Sequence, residues 1–175
     1  MIDKKDIVDH ALSEGFTNAV YLDGLQIECE ARLRAYCNPE GCPRHGNNWV
    51  CPPGCGSLEE CALKVAGFDK GILVQSISKI NPTTVDYAAL NREHNLRLQR
   101  FLEAYCEELE VLPLTSGGCV FCDTCSYPEP CIKPNLRMNS LSAYGIDVGN
   151  LCELANLPYA FSQDRVYYIA LVLIK

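Results

Sequence analysis

The chain has 175 residues, the length of one ordinary domain. Its formal charge of −7 argues against a nucleic-acid partner, because affinity for phosphate backbones rests on clustered Lys and Arg. Twelve cysteines are several times the usual share, and a chain long enough to bury a core does not need them as staples.

Ile7, Val8, Ala11 and Leu12 fall at helical spacing and predict a helix over residues 3–13, stopped at Gly15. Residues 18–22 read as a strand and 28–36 as a second short helix. From 37 to 57 the chain carries four cysteines, four prolines and four glycines with few aliphatic residues. Such a segment cannot build a conventional core, so a metal centre is expected to organise it. Residues 58–65 predict a helical turn, and 71–77 a buried strand. Leu90, His94, Leu98, Phe101, Tyr105 and Leu109 recur every three or four residues, which predicts a main packing helix over 86–110. A short strand at 112–115 leads to Gly117, Gly118 and Cys119, and a second loop without a core runs to about Pro134. A helix follows at 147–156. The closing run VYYIALVLI, from Val166, does not alternate and reads as a central strand with both faces buried. The prediction is one α+β domain spanning 1–175. It has a small mixed sheet of about four strands packed by helices, with cysteine-rich metal loops at about 37–57 and 117–134.

The N-terminal residues lack the apolar stretch of a secretory signal, and residues 166–174 are about half the length that a membrane-spanning helix requires. The expectation is a cytoplasmic protein without a membrane partner. In a reducing compartment, cysteines at this density serve as metal ligands or redox groups.

Eight cysteines form two groups. Cys119, Cys122 and Cys125 stand at successive three-residue steps, with Cys131 six residues on. Three thiols this close suit the face of a cubane, where each takes a different iron. Structural zinc instead draws its ligands as two separated pairs. The run is similar to the ferredoxin pattern, with a longer gap before the fourth cysteine and Pro134 three places beyond it. The first group, Cys37, Cys42, Cys51 and Cys55, is looser and accommodates either metal. Pro52 and Pro53 stiffen its loop, and Arg44 and His45 stand ready to balance thiolate charge or carry protons. Cys61 is an alternative to Cys55, while Cys29, Cys106 and Cys152 read as buried apolar side chains. The cofactor expectation is [4Fe-4S] clusters, two in number, with zinc as the alternative.

The pattern RAYCNPEGCPRHGNNWVCPPGC, then SGGCVFCDTCSYPEPCIKP and NSLSAYGIDV, resembles a family of small cysteine-rich predicted metal-binding proteins of anaerobic microbes, a domain of unknown function. The resemblance runs from about residue 20 to the end. It implies metal-binding roles for Cys37, Cys42, Cys51, Cys119, Cys122, Cys125 and Cys131, and places no firm cysteine at Cys55. The family often has arginine after its last metal cysteine, where this chain has Ile132. The resemblance supplies no reaction.

Three functions compete. An iron-sulfur protein exchanging electrons with a redox partner needs only two clusters near each other. An activating factor or enzyme would use an open iron, with Arg44, His45, Arg137 or Asp147 as helpers. Asp147 and Arg137 also fit plain capping or pairing roles at helix ends, and no Gly-rich phosphate loop or Ser/His/Asp arrangement names a reaction. A zinc-stabilised protein-binding module would present Trp49 and Phe121 as exposed anchors, whereas a cluster protein would use them as shields against water.

Overall fold

The structure, a computed structural model, describes residues 3–175. The strands are β1 (Asn18–Asp23), β2 (Lys70–Lys79), β3 (Val111–Thr115), β4 (Asn139–Ser140) and β5 (Arg165–Ile174). They form one sheet in the order β1-β2-β5-β3-β4. All pairings are antiparallel except β3 with β4. β2 and β5 run side by side over ten residues each, from Lys70 opposite Ile174 to Lys79 opposite Arg165.

The absence of alternation in β5 has the predicted cause. Ile169, Leu171 and Leu173 point into one buried layer, while Ala170, Val172 and Ile174 point into another. Helices α1 (Lys4–Ser13) and α4 (Tyr87–Glu103) cover the second layer through Ile7, Ala11, Leu98 and Phe101. Helices α3 (Leu58–Val65) and α5 (Val148–Leu154) cover the first through Cys61, Val65, Leu151 and Cys152, together with Leu141 and Tyr144. A four-residue helix, α2 (Ala31–Arg34), precedes the first cysteines. Side-chain caps define the helix starts: Asp3 for α1, Asp86 for α4, Asp147 for α5, and a capping box of Ser57 and Glu60 for α3.

Three details differ from the expectation. The second short helix covers only Ala31–Arg34 of residues 28–36. The sheet has five strands, because a two-residue strand at Asn139–Ser140 pairs with Leu114 and Thr115. It is too short to leave a periodic trace. Helix α4 ends at Glu103 and not near residue 110. Glu107, Glu108 and Glu110 follow, and acids are unfavourable at the negative end of a helix dipole. Tyr105 and Leu109 still pack on the core from the turns beyond the helix, which is why the periodicity runs past its end.

Candidate metal centre

The second cysteine loop begins where β3 releases the chain. Gly117 and Gly118 both adopt positive φ, +83° and +69°, a region that side chains rarely enter. A Cβ on Gly117 would lie 2.9 Å from the amide nitrogen of Asn91. Asn91 is itself held by Asn95, whose Nδ2 donates to the Asn91 side-chain oxygen at 2.9 Å and to its carbonyl at 2.8 Å. Helix α4 therefore sets where the cysteine loop starts.

Cations then take the carbonyls of this loop. Arg44 Nη1 donates to Gly117 O at 2.8 Å and Cys119 O at 3.1 Å, Arg92 Nη1 to Val120 O at 3.0 Å, and Lys133 Nζ to Phe121 O at 2.9 Å. Among the described residues, no backbone N–H from Gly118 to Cys131 donates to a protein acceptor. Carbonyls turned to cations and N–H groups left free make a loop suited to sulfur acceptors. Cys119, Cys122, Cys125 and Cys131, all half-buried, line one cavity of about 640 Å³. Its lining also includes Asp86, Ala88 and Ala89 at the start of α4.

The first loop is built differently, as a chain of turns that satisfy one another. Asn38 Oδ1 accepts from Glu40 N and Gly41 N, and its carbonyl accepts from Cys42 N. His45 N donates to Cys42 O, Cys51 N to Asn48 O, and Gly46 N to Pro52 O. Burial, and after it the neighbouring Cys42, push the Cys37 thiol up. Burial and Cys42 push Cys51 up to about 11 against the pull of Arg44, with Cys37 and Cys125 adding to the rise. Cys37, Cys42 and Cys51 thus share one electrostatic neighbourhood, and Cys125 of the other loop reaches into it. The loops clasp through Trp49, whose Nε1 donates to Glu129 O at 2.9 Å and whose ring meets Tyr127 edge-on at 5.1 Å. Phe121 is buried and Trp49 half-buried, the disposition expected of water shields and not of exposed anchors. Among the described residues, no three His, Cys, Asp or Glu side chains converge as a ready single-ion site.

Cys55 sits with a different set of partners. It lies in the core layer with Cys61, and Cys29 packs against the same layer. Arg34 donates to Cys61 Sγ at 3.5 Å and to the carbonyls of Ala143 and Gly56. The hydrogen bond from Cys55 and the guanidinium of Arg34 pull the Cys61 thiol below the ordinary cysteine range, against the opposing push of burial. The same hydrogen bond and burial raise Cys55. Sequence spacing pointed to Cys61 as a substitute for Cys55. The structure brings the two together, with Cys61 Sγ donating to Cys55 O at 3.7 Å, and Arg34, whose role spacing did not reveal, holds Cys61 Sγ and the Gly56 carbonyl that Cys55 Sγ also meets.

The remaining candidates divide. Arg44 bridges both loops, and Arg137 lies exposed on the cavity. Asp147 caps α5 and pairs with Arg32, which is the plain capping role. His45 takes part in a turn through its backbone. Cys152 is buried as expected, while Cys106 is exposed because α4 has ended before it. Arg92 and Lys133 were not singled out in the sequence, since an isolated basic residue carries no signal of the carbonyl that it meets.

A family model described as "Predicted metal-binding protein (DUF2284)" matches residues 21–174, which span both cysteine loops. The chain belongs to this family. Membership identifies it as a cysteine-rich predicted metal-binding protein and leaves the family's reaction undefined. No curated protein and no solved structure matches the chain. No described helix is long and apolar enough to cross a membrane.

Proposed function

We propose that this is an iron-sulfur protein of the cytoplasm that exchanges electrons with a redox partner protein. One [4Fe-4S] cluster would be held by Cys119, Cys122, Cys125 and Cys131, and a second by the group of Cys37, Cys42 and Cys51. The observation that carries the reading is that all four thiols of the second group stand on the wall of one cavity of about 640 Å³. A structural zinc draws four sulfurs to within about 2.3 Å of one point. A cubane needs them spread around a volume, each on its own iron.

The chain's own groups support the same reading. Arg44, Arg92 and Lys133 bring positive charge to the loop through its carbonyls. The free N–H groups are donors for sulfide and thiolate sulfurs, and such hydrogen bonds set the potential of a centre of this kind. Phe121 and Trp49 limit water access, and the clasp of Trp49 on Glu129 and Tyr127, with Arg44 on Gly117 and Cys119, keeps the two loops adjacent. A bound cluster supplies a one-electron couple.

A second reading places zinc in the first group and a cluster only in the second. It draws on the first loop, whose N–H groups are largely taken by its own turns. Both readings are tested by anaerobic purification, followed by an absorbance spectrum before and after dithionite and a zinc determination, since the second reading requires about one zinc per chain beside the cluster. A brown protein with a shoulder near ~400 nm that bleaches on reduction and recovers on oxidation is the expected result. A colourless protein that binds zinc would overturn the electron-transfer function and leave a zinc-stabilised binding module.

A further inference from the structure

The cavity is larger than its cysteine wall, and the charge of its remaining wall runs against that of the molecule. A chain with a formal charge of −7 places Arg44, Arg92, Lys133 and Arg137 around this one space, against the two carboxylates Asp86 and Asp123. Asp86 is partly engaged, accepting from Ala89 N at 2.9 Å as the cap of α4. Three of the cations are anchored by a nitrogen on a loop carbonyl, which fixes the position of each charge and leaves further N–H donors on each. The Arg137 side chain has no hydrogen-bond or ion-pair partner among the described residues and is exposed on the cavity. Small side chains, Ala88 and Ala89, keep the wall beside Arg92 open. The volume of about 640 Å³, which the metal centre would share, falls within the range of small-molecule sites.

We propose that this cavity, which Arg137 and Arg92 both line, binds a small oxyanion, a carboxylate or phosphate, beside the second cysteine group. The inference rests on the proposed function in one respect: the thiols are given to the metal centre, and the anion takes the basic side chains that line the same cavity. A guanidinium offers two parallel N–H donors to a carboxylate or phosphate, and Arg137 has both edges available. Anchored cations and a free one together define a recognition site, because the fixed charges attract the anion and the free fork orients it. An anion at this position would stand next to the redox centre, as a substrate or as a ligand that tunes it.

The test is calorimetric titration of the anaerobically purified protein with succinate and, separately, with inorganic phosphate, using acetamide as the neutral control. Saturable binding of at least one oxyanion is expected, with no heat from acetamide. Arg137→Gln should weaken that binding by about tenfold or more, and Arg137→Lys by less, since it keeps the charge and loses the fork. No saturable heat from either oxyanion, or unchanged affinity in Arg137→Gln, would overturn the inference. Iron and acid-labile sulfide counted in the same samples separate the two claims. Oxyanion binding by a protein without iron would uphold the anion site and sink the cluster, and a full cluster count without oxyanion binding would do the reverse.

Discussion

At the scale of single residues, Gly117 ties the second cysteine loop to α4, and Arg44 and Arg92 hold the carbonyls that follow it. Cys119, Cys122 and Cys125 declare themselves by spacing. Arg44 reaches Gly117 across 73 positions, and Arg92 reaches Val120 from the other side of the loop, so no local pattern marks either as part of the centre. Gly117 is the residue on which the supports converge. Its φ of +83° and the Asn91 amide 2.9 Å from a built Cβ leave no room for a side chain, and Asn95 keeps Asn91 from moving aside. Gly117→Ala should therefore cost about 2 kcal/mol in urea unfolding. Adding Asn91→Ala should return part of that loss by removing the crowding, while the backbone strain persists. Equal stability of Gly117→Ala and the natural protein would show that the glycine is not fixed by α4.

At the scale of elements, α4 connects the core to the site. Its periodicity was readable, but its end at Glu103 was not, since the apolar spacing continues through Tyr105 and Leu109 on turns that pack without being helical. The two-residue strand β4 was invisible for the opposite reason, being too short to have a period. Within α4, His94 is 1% exposed, faces Ser76 Oγ at 2.8 Å and lies between Phe16 and Tyr168. Burial, reinforced by Arg97, pushes its pKa from 6.5 down to about 3. The folded protein thus keeps His94 neutral, whereas the unfolded chain takes up a proton once the pH falls below about 6.5. Stability from this group is complete above pH 6.5 and is lost as the pH falls towards 3. The slope is about 1.4 kcal/mol per pH unit. Urea unfolding at pH 7.5 and 5.5 should show that loss in the natural protein and a smaller one in His94→Gln. Identical pH dependence in both would mean that His94 is not the titrating group.

At the scale of the whole molecule, the architecture was legible where burial leaves a pattern. β5 reads as a central strand because both of its faces are apolar, and the structure sends alternate residues into two core layers. The juxtaposition of the two cysteine loops had a weaker trace, since it depends on Trp49, Arg44 and Val50 meeting residues of the second loop far along the chain. The proposed function depends on the second cysteine group enclosing a polynuclear iron-sulfur centre. The most direct test is a count of iron, acid-labile sulfide and zinc per chain in anaerobically purified protein, repeated for Cys122→Ser. About eight irons with matching sulfide are expected in the natural protein and about four in the variant, as the first group keeps its own cluster. One or two zincs with no sulfide, or an iron content untouched by Cys122→Ser, would contradict it.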